Sequence, residues 1–116
     1  MSKMSNMKKA DLMIGDWVEF HSGYAKVTGI TDEGVHFVDR FGGGIASGAE
    51  PVILTKEILD DNGMIHNVSK QSGDVFYLSI EGELAYVQVK CRFVHEVQHA
   101  LRICGFIDGA NNFKVS

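Results

Sequence analysis

Two histidines and a glutamate stand close together near the end of the chain. In the stretch FVHEVQHALRICG, HEVQH fits the zinc-peptidase pattern H-E-x-x-H letter for letter. Side chains four residues apart share one face of a helix, so His95 and His99 could grip one zinc ion while Glu96 activates the bound water. Such a site needs a third ligand. A metzincin continues to a glycine and a further histidine, but Arg102 and Gly105 fill those two places here. Asp108 is the sole carboxylate downstream of Glu96, and nothing in the sequence brings His21, His36 or His66 to this helix. On a helical wheel Phe93, Val94, Val97, Ala100, Leu101 and Cys104 form an apolar side, with His95, Gln98, His99 and Arg102 opposite. HEVQH therefore reads first as the solvated outer face of a packing helix, with no metal. A zinc-dependent hydrolase that uses His95, His99 and Glu96 is the alternative.

The second suggestive stretch is DRFGGGIASGAEP, where Arg40 and Phe41 precede Gly42, Gly43 and Gly44. Glycine amides can curl around an anion, yet the run lacks the lysine and the serine or threonine of a P-loop and does not match G-x-G-x-x-G. It reads as a flexible loop whose Arg40, Phe41, Gly42, Gly43 and Gly44 meet a partner. Capture of a small ligand or nucleotide by the amides of the three glycines is a further alternative. Asp60 and Asp61 are adjacent on an expected helix, where neighbours diverge in direction, so they read as a solvated face. Neither cysteine has an activated setting and no serine sits in a nucleophile elbow, so no catalytic residue is assigned.

These groups must be held by a chain of 116 residues, 45% of them apolar, which suits one compact domain over residues 11–116. Eleven basic and fifteen acidic residues leave a net charge of -4, without a basic stripe, so nucleic acid is not expected as a partner. Residues 1–10 read as a disordered leader without the apolar run of a secretory signal. No stretch is long and apolar enough for a membrane span. Cys91 and Cys104 make neither a disulfide framework nor a zinc knuckle, which places the chain in a reducing cytoplasm.

From Gly15, GDWVEFHSGYAKVTGITDEGVHFVD reads as three short strands parted by Ser22-Gly23 and Asp32-Glu33-Gly34. Short strands with tight turns bury a face by curling, so a small curled sheet or barrel is expected. Trp17, Val27, Ile30, Val35 and Phe37 belong to its expected core. Thr55 is placed to cap a short helix that ends at Asn62-Gly63 and docks through Ile58 and Leu59. DVFYLSI and LAYVQVKC form a hairpin apolar enough to be covered on both faces. A helix over residues 93–104 stops at Gly105, and FKVS is a possible edge strand.

Two blocks resemble a known group. EPVILTKEILDDNGM is similar to the EPIPLTPEILEKNGF-like segment, and FVHEVQHALRICG to the YVHELQHALRLCG segment, of small uncharacterised proteins of gut Bacteroides, their phages and mobile elements. IGDWVEF and AKVTGI fit the usual opening of that group, so the likeness spans most of residues 11–105. It implies a shared fold and a bacterial or phage cytoplasmic origin, but no activity. Relatives that read HQLQN in place of HEVQH would lack the glutamate and the second histidine. The loop RFGGGIASG has no counterpart in the group.

The expectation is an α+β fold: a curled N-terminal sheet or barrel, a linking helix, then a hairpin packed by an amphipathic C-terminal helix. Its role is read as a non-enzymatic module, possible as a homo-oligomer, that binds a protein partner and modulates a host system.

Overall fold

The computed structural model describes residues 11–20 and 23–115, and the chain falls into two compact units, Met1–Val52 and Ile53–Ser116. The expected leader 1–10, His21 and the serine of the first expected turn lie outside the described residues. Both units join short strands, the second with helices, so the chain is α+β with two antiparallel sheets.

The first unit contains β1 (Trp17–Phe20), β2 (Gly23–Thr31), β3 (Gly34–Asp39), β4 (Gly42–Ala46) and β5 (Glu50–Pro51). They form one antiparallel sheet in the order β4-β3-β2-β1-β5. Among the described residues β4 and β5 are its two edges and do not pair, so the sheet is open and not a closed barrel. Leu12, Val18, Ala25, Val27, Val35 and Ala49 build the core, with Phe20, Ile30 and Phe37 packed against it. A bulge in β2 between Val27 and Gly29 explains how Val27 and Ile30, an odd spacing apart, both serve this core.

Trp17 departs from the expected core. It pairs with Lys26 across the strands, on the face opposite Val18, and the Lys26 ammonium lies 5.3 Å from its ring centroid. The turn before β1 is held instead by Asp16, which is fully buried and accepts the Met13 amide at 2.8 Å.

The glycine run is the larger correction, because Gly42, Gly43 and Gly44 are the first half of strand β4 rather than a loop. The reason is Phe37, directly across from Gly44: a Cβ at Gly44 would lie 2.7 Å from Phe37 Cζ. The ring covers the glycine, so a residue with weak strand preference sits in a strand through its neighbour's packing.

The second unit contains α1 (Lys56–Asp61), a 3-10 turn (Ile65–Asn67), β6 (Val68–Ser72), β7 (Val75–Glu81), β8 (Tyr86–Cys91), α2 (Val94–Ile103) and α3 (Ile107–Asn111). Its sheet has the order β6-β7-β8. Thr55 Oγ1 accepts the Ile58 amide at 3.2 Å, Ile58 and Leu59 are buried, and Gly63 leaves the helix at φ +69°, all as the sequence predicts.

The hairpin is covered on one face only. Phe76, Leu78 and Ile80 are buried, whereas Tyr86, Gln88 and Lys90 on the opposite side are exposed. Helix α2 closes the buried face, with Cys104 Sγ donating to Ile80 O at 3.5 Å and Gly82 held tight against the Cys104 backbone. Gly105 at φ +95° ends α2, and the Phe106 amide reaches back to Leu101 O at 2.8 Å. Two further differences follow downstream. Residues 107–111, IDGAN, form the short helix α3, and FKVS is no strand: Phe113 and Val115 are buried and Asn62 pins the backbone between them.

Candidate functional site

Within HEVQH, Glu96 belongs to the start of α2. Helix α2 begins after Phe93, whose side chain has no oxygen to cap the free amides. Glu96, at the third helical position, turns back and supplies that oxygen: its Oε1 accepts the Arg92 amide at 2.7 Å and the Phe93 amide at 3.0 Å. The carboxylate that would serve as a general base in a zinc peptidase is thus engaged with the main chain of its own helix.

His95 and Gln98 differ from the expected solvated face. His95 is only 9% exposed, stacked 6.0 Å from Phe93 and edge-on to His99 at 5.4 Å between centroids. Gln98, expected outside, is fully buried, and its Nε2 donates to Ala110 O at 2.9 Å. The helix is therefore embedded on more than its apolar side, because α3 returns over it. Among the described residues no three of His, Cys, Asp and Glu gather where they could share a metal ion, and His36 is engaged with Thr31 Oγ1 at 2.8 Å.

Cys91 lies at the end of β8, fully buried beside this helix start. Burial pushes its thiol up to about 12, and the negative charge of Glu96 adds to the rise. A thiol so placed stays protonated at neutral pH and is a poor nucleophile.

The second candidate stretch forms the β3–β4 hairpin. Asp39 pairs with Gly42, leaving Arg40 and Phe41 as the turn. Asp39 Oδ1 accepts the Phe41 amide at 2.8 Å, and Gly42 closes the turn at φ +122°, where only glycine is relaxed. The Phe41 ring is 71% exposed, and the Arg40 guanidinium lies 4.8 Å from its centroid. Farther along β4, Ile45 is 52% exposed. The structure thus brings Arg40, Phe41, Gly42, Gly43 and Gly44 together at the tip and start of an edge strand. The outer edge of that strand has no pairing partner among the described residues.

The sequence reading missed Asn62 beyond its turn role, along with Gln98 and Phe113. Asn62 is polar and short, and its only sequence signal is the Asn-Gly turn. Its amide bridges Ile58 O at 2.7 Å and both backbone groups of Lys114 at 2.8 Å. No helix among the described residues is long and apolar enough to cross a membrane. In comparisons with known proteins, no family model, curated protein or solved structure matches the chain.

Proposed function

We propose that the chain is a non-enzymatic interaction module that binds a protein partner by strand addition to the open edge of β4. The observation that carries this reading is an edge strand, GGGIA, with no charge or proline along it and Phe41 and Ile45 exposed beside it. Edge strands that must stay private carry lysine, proline or a bulge, and β4 has none of these. Gly42 and Gly43 are exposed and put no side chain beside their main-chain groups, so an extended segment can add its own ladder along the outer edge. Arg40 and Phe41 at the tip are residue types enriched in interface cores and suit an anchor beside that ladder. The engagement of Glu96 in helix capping favours this reading over hydrolysis. The family likeness of the sequence adds an origin in Bacteroides, their phages or mobile elements, and a cytoplasmic role in modulating a host system.

The test is affinity capture from a Bacteroides lysate with wild type, Ile45→Lys and, as an exposed control in the second unit, Tyr86→Lys. A charge on β4 should abolish capture of a specific protein that wild type and Tyr86→Lys both retain. Capture of nothing specific, or equal capture by Ile45→Lys, overturns the proposal.

A further inference from the structure

The register of the β3–β4 hairpin fixes which main-chain groups of β4 meet the open edge. Asp39 and Gly42 close a two-residue turn and so exchange main-chain hydrogen bonds, and in an antiparallel ladder such pairs alternate with pairs that exchange none. Gly44 and Ala46 therefore bond across to Phe37 and Val35, while Gly43 and Ile45 turn their N–H and C=O groups outward. The side-chain positions of Gly43 and Ile45 lie on the exposed face of the sheet, away from the face that Phe37 covers.

On that exposed face Gly43, Val38, Lys26 and Trp17 form one row straight across four strands, and the row ends at β4 in an empty place. A Cβ at Gly43 would meet only the Phe37 carbonyl oxygen, at 3.3 Å, and Val38 beside it is 43% exposed. The other face of β4 shows how such a place is filled: the Phe37 ring, directly across from Gly44, lies over that glycine. Two residues after Gly43 stands the exposed Ile45, and two residues before it the exposed Phe41 ring carries the Arg40 guanidinium. Asp39, the carboxylate next to Arg40 in sequence, is engaged with the Phe41 amide.

We propose that the segment added to β4 runs antiparallel to it and carries a β-branched residue opposite Ile45, an aromatic residue opposite Gly43 and a carboxylate level with the Arg40-Phe41 turn. This rests on strand addition at β4 and names the partner chemistry that the edge selects. Antiparallel pairing continues the rest of the sheet and is the more stable kind per residue. The three residues alternate along the segment, so all of them reach the exposed face. There the ring covers Gly43 against Val38, the β-branched side chain meets Ile45, and the carboxylate meets the Arg40 charge. A segment without them makes the same ladder but loses the ring contact and the charge pair, so main-chain bonds supply affinity and these side chains supply selectivity.

Amide spectra of the full chain should be titrated with the capped peptides TVTFTET, TVTATET and TVTFTKT. TVTFTET is expected to give saturable shifts at Gly43 and Ile45 and to bind at least about fivefold more tightly than either of the others. In Arg40→Glu, at an exposed turn position, the order of TVTFTET and TVTFTKT should reverse. Equal affinities of the three peptides, or an order unchanged in Arg40→Glu, overturn the proposed side-chain chemistry and leave strand addition standing. Absence of saturable shifts along β4 with every peptide overturns both.

Discussion

Glu96 shows how one residue type at one spacing serves two chemistries. A glutamate between histidines four apart reads as a general base, yet a glutamate three residues after a helix-cap position is also half of a capping box. The structure realises the second, because the alternative leaves the Arg92 and Phe93 amides without that acceptor. Glu96→Ala should lower stability by about 1–2 kcal/mol in urea unfolding at neutral pH, and Glu96→Gln by less, since its amide oxygen still accepts. Cys91 gives a second prediction. Its thiol holds its proton in the folded state to about 12 against an ordinary 9.0, so folding favours the protonated form. The associated stability is complete below pH 9 and is lost progressively as pH rises from there toward 12. Cys91→Ala should therefore lose less stability than wild type between neutral pH and pH 11 in parallel denaturant titrations. The two histidines were legible as a pair in the sequence. The burial of His95 and Gln98 was not, because helical periodicity reports one apolar side and carries no record of what later packs against the polar one.

At the scale of elements, the clearest lesson is β4. Composition reads GGGIASG as a loop because glycine has no side chain to pack and much backbone freedom to lose. Phe37 reverses that preference by laying its ring over Gly44. Gly44→Ala should destabilise the chain by about 1–3 kcal/mol, since the ring must move to admit the new carbon. Gly48→Ala, with open space around its Cβ, should be near neutral. Thermal unfolding of the two variants side by side checks this, and equal midpoints would remove the packing explanation. By contrast α1 was legible almost in full, because Thr55, Ile58, Leu59 and Gly63 act through neighbours within one or two turns. The end of α2 at Gly105 was legible for the same reason, while α3 gains its hold from Gln98, which caps Ala110 O from another helix.

At the scale of the molecule, each unit has its own buried set, and the two differ in depth. The first relies on a small sheet core around Val18, Ala25, Val27 and Val35. The second buries Phe76, Leu78 and Ile80 on β7 along with Val94, Val97 and Leu101 on α2. Amide hydrogen exchange should therefore be slowest at the centre of β7, the middle strand of its sheet, and fast along β4, an edge strand. Protection in β4 equal to that of β7 in the isolated chain would mean that its edge is already covered, and would count against strand addition.

Taken alone, the sequence determined the α+β class, the strands β1 to β3, the β7–β8 hairpin, and the helices that start at Thr55 and near Phe93. All of these rest on local patterns of apolar period, turn glycines and caps, whose energies act between residues close in the chain. Only the tertiary structure decided that the glycine run pairs as an edge strand, that Trp17 leaves the core face, that His95 and Gln98 are buried, and that Asn62 anchors the tail through the Lys114 backbone. Each depends on contacts between residues distant in sequence or on the opposite face of a sheet, and a one-dimensional pattern carries no record of which distant surface will arrive.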